Sequence, residues 1–288
     1  MSDPGATPAQ QKPAGPSNLR LRVLSALVLV PMALLFTWMG GLGFRIFVGM
    51  VAVAMIYEWL TITAGRDWGR THWLIAGLLA AVMLLLVAGL APDLLLILTI
   101  VAALIALVAA RMSGHGYWPP SGILYAGLSG ISLAMLRDGG AAGLWAILFL
   151  FAVVWVTDIA AYFVGRTIGG AKLAPRISPG KTWSGAIGGA IGGVAAGLLV
   201  ALIADVRLSL ALFAGLAFLL SVVSQMGDLF ESHLKRRYAV KDSSNLIPGH
   251  GGVMDRVDGL VAAAVAFYVV GILLTGPSFP AQAFFSAG

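Results

Sequence analysis

Long apolar runs broken by short polar connections dominate this chain of 288 residues. A bilayer hydrocarbon core of about 30 Å takes about 20 apolar residues in a helix. Measured by that length, the sequence predicts nine spans: Val23–Met39, Phe44–Thr63, Trp73–Leu90, Leu94–Ala110, Gly122–Leu136, Ala141–Val164, Gly185–Ala204, Leu208–Gly227 and Val257–Thr275. The fifth is the shortest. Strands that cross a membrane need segments of about ten residues alternating polar and apolar, and none occur, so backbone satisfaction in lipid requires helices. The predicted fold is all-α, a polytopic integral membrane protein. Residues 1–18, rich in Pro, Ala, Gln and Gly, read as a disordered tail. Val23–Met39 is long for a signal peptide and is followed by further spans, so it reads as an uncleaved first span. Residues 19–140 then form a scaffold of spans. Residues 141–276 carry two charged loops, 165–184 and 228–256, and 277–288 is a C-terminal tail.

Charge sharpens this picture. With 59% hydrophobic and 10% charged residues the chain lies outside the range of soluble enzymes, disordered proteins and small disulfide scaffolds. Half of the 30 charged side chains fall in Asp158–Gly185 and Asp228–Asp258. With a cytoplasmic N-terminus, 15 Lys and Arg fall on the cytoplasmic side and 3 (Arg45, Arg137, Arg207) on the other. This is a positive-inside split that puts the N-terminus and both charged loops in the cytoplasm. The +6 net charge therefore reads as topology and phosphate attraction, not nucleic-acid binding. The absence of cysteine excludes disulfides, thiolate metal sites and cysteine nucleophiles.

In the first cluster, Asp158 stands inside an apolar span, where a carboxylate is costly unless it faces a partner, a cation or a wet cavity. Gly165, Gly169, Gly170 and Gly180 then alternate with Arg166, Lys172, Arg176 and Lys181. Such a loop can bring backbone amides and cations to a phosphate, although turn glycines in a positive-inside loop look the same. It is not a Walker A loop, since Pro175 stands where the first glycine is required. In the second cluster Asp228, Glu231 and Lys235 share a helical face, and Glu231 with Lys235 has the spacing of a surface ion pair. Gly251-Gly252, after His250, permits a tight backbone nest just before Asp255 and Asp258. Carboxylates among Lys and Arg suit a divalent cation shared with a polyphosphate. Zinc is disfavoured, because His233 and His250 are far apart and no HExxH motif is present.

The run Ser232–Asp258, SHLKRRYAVKDSSNLIPGHGGVMDRVD, resembles the signature of the phosphatidate cytidylyltransferases, the CDP-diacylglycerol synthases, over 27 consecutive residues. Ala161–Arg166 and Ile177–Trp183 resemble the same family, whereas Ser184 stands where relatives commonly carry Glu or Gln. The resemblance implies transfer of a cytidylyl group from CTP to phosphatidate with release of pyrophosphate. It also implies an inner-membrane location with the site on the cytoplasmic side. It makes Asp228 and Asp255 the expected metal-directed carboxylates, with Asp258 and Glu231 weaker, for Mg²⁺ and with room for a second cation. Asp228, Asp255, Lys235 and Lys241 are the expected catalytic set. Lys181, Arg166, Ser178, Arg236, His250, Gly251, Gly252 and Arg256 would bind substrate. A homodimer is compatible with the family. Two rivals fare worse: a transporter would carry more charge inside its spans than Glu58 and Asp158, and a CDP-alcohol phosphotransferase needs an Arg and a second Asp that Asp258–Ala263 lacks.

Overall fold

A computed structural model describes residues 16–65, 68–206, 209–247 and 251–285; the side chains of residues 16–24 and 26 are left aside. Lys12, Arg66, Arg207 and the segment 248–250, with His250, lie outside the described residues, as do the side chains of Arg20 and Arg22. The chain forms helices α1 (Pro16–Met39), α2 (Gly41–Ala64), α3 (Arg70–Val87), α4 (Pro92–Met112), α5 (Trp118–Arg137) and α6 (Ala141–Ile168). A hairpin follows, β1 (Lys172–Ala174) and β2 (Ser178–Thr182), and then α7 (Trp183–Ile203), α8 (Leu210–Arg237), α9 (Met254–Thr275) and α10 (Gln282–Phe285). Among the described residues eight helices, α2 to α9, are long and apolar enough to cross a membrane. The described apolar part of α1, Leu27–Met39, is shorter. The protein is thus the all-α polytopic membrane protein the hydropathy pattern predicts, with one small hairpin added.

Two groups of helices share a core. In the first, α2, α3, α4 and α5 pack on one another; in the second, α6, α7, α8 and α9 do. Helix α5 joins them, touching α2, α3 and α4 on one side and α6 and α9 on the other. Its shortness as an apolar run has a physical reason: it faces protein almost all round, so Gly122, Ala126, Gly127, Ser129, Gly130, Ser132 and Ala134 are all buried. Small residues admit close neighbours but contribute little hydropathy. The helix is 20 residues long, not the 15 of its apolar run.

At the end of the bundle where α1 finishes, Arg137 is buried and donates to the carbonyls of Thr37, Trp38 and Gly140. Arg45 pairs with Asp138 at 2.6 Å. Two of the three cations assigned to the minority side are therefore held by internal partners. After α9, α10 returns to the core and buries Phe284 and Phe285 among Phe149, Phe213 and Phe267.

Helices α6 and α7 are drawn together by glycine. A Cβ added at Gly189 meets the Thr157 carbonyl at 2.8 Å and Ala161 at 3.0 Å, and one at Gly192 meets Ala160 at 2.8 Å. Thr157 completes the contact by donating to Ser221 of α8 at 2.8 Å. Gly189→Leu is accordingly expected to cost about 1–3 kcal/mol through overpacking. Gly77→Ala in α3, where an added Cβ meets nothing within 4 Å, should be neutral or stabilising by about 0.5–1 kcal/mol. Thermal unfolding in detergent compares the two, and equal behaviour would dismiss glycine packing as the cause of the α6–α7 approach.

Candidate active site

The hairpin exists because the loop after α6 must turn back to start α7. Lys172 pairs with Thr182 and Ala174 with Ser178 across it. Thr182 then caps α7, its hydroxyl accepting from the Gly185 amide at 3.1 Å. This fixes Lys181 two residues before a helix, where it forms an ion pair with Asp228 of α8. The two charged loops, 47 residues apart in sequence at this contact, thereby meet.

Helix α8 runs ten residues beyond Gly227, where its apolar run ends, and carries Asp228, Glu231, Lys235 and Arg236 out along a single rod. Between it, α6 and the hairpin lies a cavity of about 560 Å³ lined by Asp158, Asp228, Arg166, Lys172 and Lys181 together with Gly165, Gly180 and Gln225. Asp158 is exposed to this space. Asp158, Asp228 and Asp258 act on one another electrostatically. Ser232 donates to Asp228 at 3.3 Å, and Asp258 accepts from the Gly259 amide at 2.8 Å. Arg236 donates to the Ile177 carbonyl at 3.4 Å, tying the hairpin to α8. Arg166 bonds the Tyr162 hydroxyl at 2.7 Å. Ser178 sits in β2 opposite Ala174, away from the residues that line the cavity, and Lys241 is exposed in the following loop.

A second knot lies beside this cavity. Lys235 is 2.6 Å from Asp255 and 3.1 Å from Glu231. The Glu231–Lys235 pair is no surface pair: Glu231 is completely buried. Its Oε1 meets the Lys235 ammonium, whereas its Oε2 lacks a hydrogen-bond partner among the described residues. Asp255 is engaged on every side, with Lys235 on Oδ1 and with the amides of Ser243 and Gly252 and the Ser243 hydroxyl on Oδ2, each at 2.8 Å. The structure therefore joins Asp228 to Lys181 and Asp255 to Lys235. No group of three His, Cys, Asp or Glu among the described residues is already arranged to hold a metal ion.

The amide nest expected at Gly251-Gly252 is filled by the protein's own carboxylates. Gly251 adopts φ +80°, a left-handed conformation suited to glycine, and its carbonyl accepts from the Ile247 amide at 2.9 Å. The Gly252 amide goes to Asp255. The next two amides, of Val253 and Met254, go to Glu58 of α2, both at 2.7 Å. Glu58 also accepts from the Ser244 hydroxyl at 2.6 Å and lies 3.0 Å from that of Ser243. Sequence reasoning marked Glu58 only as a charge inside a span. Its partners are 185 to 196 residues away, and no local spacing announces them.

A helical membrane bundle with an acidic cluster, a cationic rim and a cavity of nucleotide size is the architecture of a membrane enzyme acting on phosphate compounds. The chain matches the Cytidylyltransferase family over residues 20–274, and it belongs to that family. It is 48% identical over 282 residues to a phosphatidate cytidylyltransferase of Brucella suis, covering 94% of this chain and 99% of that one. The corresponding protein of Pseudomonas aeruginosa is 39% identical, covering 86% and 95%. That of Rickettsia bellii is 32% identical, covering 90% and 93%.

Removing Glu58 leaves two backbone amides and the Ser244 hydroxyl without their acceptor, whereas the Ser243 hydroxyl keeps Asp255. Each unmet donor costs about 1–3 kcal/mol, so Glu58→Ala should lower the unfolding temperature markedly. It should also raise hydrogen exchange at Val253 and Met254. Exchange at those amides that stays at the wild-type rate would separate Glu58 from the loop.

Proposed function

We propose that this chain transfers the cytidylyl group of CTP to phosphatidate, giving CDP-diacylglycerol and pyrophosphate. The observation that carries this reading is the Lys181–Asp228 contact, which draws both charged loops of a cytidylyltransferase-family chain around one cavity. The names of the relatives supply the lipid substrate.

In this reaction an oxygen of the lipid phosphate forms a bond to the α-phosphorus of CTP, and the bond from that phosphorus to the bridging oxygen of the β-phosphate breaks. The nucleophile is already an anion, so no strong base is needed. The difficulty is to bring two anions together and to stabilise the charge that gathers on pyrophosphate. Lys181, Arg166 and Lys172 line the cavity and meet that demand with phosphate contacts. Lys181 exchanges Asp228 for a phosphate when substrate enters, and Lys235 stays with Asp255 and Glu231 as the fixed edge of the site. Lys241, Arg236 and Arg256 belong to the outer rim of the same reading, and His250, outside the described residues, keeps only its expected role toward the substrate.

The donor chemistry fits Mg²⁺: the cavity offers carboxylate oxygens of Asp158 and Asp228, and Asp258, outside its lining, adds to their mutual repulsion, which a divalent cation would relieve. Bound there, Mg²⁺ supplies charge neutralisation on the phosphates. Asp228 and Asp258, with Asp158, are the preferred ligands, because Asp255 already spends both oxygens on protein donors. The site faces the cytoplasm of a bacterial inner membrane, a reading supported by the 15 to 3 distribution of Lys and Arg. A homodimer and a second cation belong to the same reading through the family resemblance.

Purified protein given labelled CTP, Mg²⁺ and phosphatidate should label lipid and release pyrophosphate in equal amounts; absence of either product refutes the assignment. Lys181→Ala is expected to lower kcat by about 10²–10³-fold, the loss typical of one donor to developing charge. Asp228→Asn should leave a folded protein whose residual turnover no longer responds to Mg²⁺, and a normal Mg²⁺ titration would remove Asp228 from the metal site.

A further inference from the structure

Beside the cation-lined cavity runs a second one, of about 580 Å³, between α7 and α8. The two share Leu173, Ala186 and Gln225, so they adjoin at these residues. The α5–α8 groove around Trp118 and Phe230, of about 620 Å³, shares no lining residue with the cation-lined cavity. Beyond the junction the walls are apolar: Ile187, Ala190, Ile191 and Val194 from α7, Phe218 and Val222 from α8. Ile187, Ile191 and Phe218 are 57%, 67% and 55% exposed, so the groove opens sideways toward lipid.

Its shape follows from the helix that forms it. Gly185, Gly189 and Gly193 recur every four residues and turn toward α6. Ile187 and Ile191 are offset from them by two residues, about 200° around the helix, and lie on the opposite side. From Trp183 to Val194 the groove descends eleven residues, about 16 Å at 1.5 Å each. That is close to one leaflet of a hydrocarbon core about 30 Å thick. A nucleotide makes no use of an apolar face one leaflet deep. A phospholipid whose phosphate lies among Arg166, Lys172 and Lys181 does. Gln225 stands where the polar and apolar parts meet, one N–H of its amide directed at the Ala186 carbonyl at 3.4 Å and the other able to donate.

We propose that the α7–α8 groove holds an acyl chain of the phosphatidate while its phosphate occupies the cation-lined cavity, and that Gln225 donates to the glycerol ester at the junction. This rests on the function proposed above and assigns the groove as its determinant of chain length.

Ile191→Trp fills the groove about 12 Å below its mouth. Relative to wild type, kcat/KM for dipalmitoyl phosphatidate should fall by at least about tenfold, within the range set by apolar pocket contacts. Dioctanoyl phosphatidate and the KM for CTP should be unaffected, because the shorter chain stops above the block. Equal losses on both lipids, or none, overturn the groove assignment. Gln225→Leu should raise KM for phosphatidate of either length by a larger factor than that for CTP; an unchanged phosphatidate KM, or an equal rise for both substrates, removes Gln225. If Ile191→Trp does not fold, photolabelling of the wild-type protein with a phosphatidate carrying a diazirine near its chain end decides. Crosslinks at Ile191 or Phe218 support the groove, and crosslinks confined to other helices overturn it. A wild-type protein that releases no pyrophosphate from CTP defeats the function itself, whereas an active wild type without the chain-length split defeats only the groove.

Discussion

Where α9 begins, its first amides have no preceding turn to bond to, and at this depth in the bundle they have no bulk water either. The carboxylate of Glu58 takes two of them, at Val253 and Met254, and binds the loop before them through Ser244 and Ser243. This one interaction ties α2, in the N-terminal group of helices, to the loop before α9 and to the first turn of α9, which carries Asp255. Asp255 in turn holds Lys235 near the end of α8. The order of the whole charged end of the molecule therefore passes through a side chain that belongs to the scaffold. An anion at a helix N-terminus also suits the helix dipole, which adds to the hydrogen bonds.

The charges divide into two kinds of neighbourhood. Around Asp255, acceptors and donors match closely, and the result is rigid. Around Asp228, which shares a cavity with Asp158, Lys181 and the more exposed Arg166 and Lys172, the carboxylates repel one another and Asp258 adds to that repulsion from outside the lining. Under the proposed function, a nucleoside triphosphate with its metal would bring both a cation for these carboxylates and an anion for the lysines and arginine. The Gly251-Gly252 nest, which in isolation reads as a phosphate cradle, goes to the rigid neighbourhood, because the chain's own carboxylates reach it first.

What the sequence made legible follows from the distance over which each signal acts. Hydropathy located the spans and both charged loops, since burial in lipid acts on every residue of a run. It misjudged α5, whose small residues answer to protein neighbours, and it stopped α8 at Gly227, where apolar character ends although the helix continues through Arg237. Local spacing placed Glu231 and Lys235 together but not inside, because burial of Glu231 depends on α5 and α9 covering that turn. The hairpin 172–182 was read as glycine and cations, and its pairing emerges only with α6 and α7 on either side. Glu58 was hidden most completely, since its meaning rests entirely on contacts across most of the chain.

Helix α7 shows how one element can set several properties at once. Its glycines bring α6 close enough to place Asp158 in the same cavity as Lys181. Its capping residue, Thr182, is the last residue of β2, so the hairpin cannot shift without moving the helix. Its opposite face is left uncovered along Ile187 and Ile191, so an apolar groove adjoins the polar cavity. A helix of uniform side chains would pack α6 poorly or close the lateral groove. The alternation of glycine and isoleucine at a four-residue spacing does neither, and it places a cation-lined cavity and an apolar groove side by side.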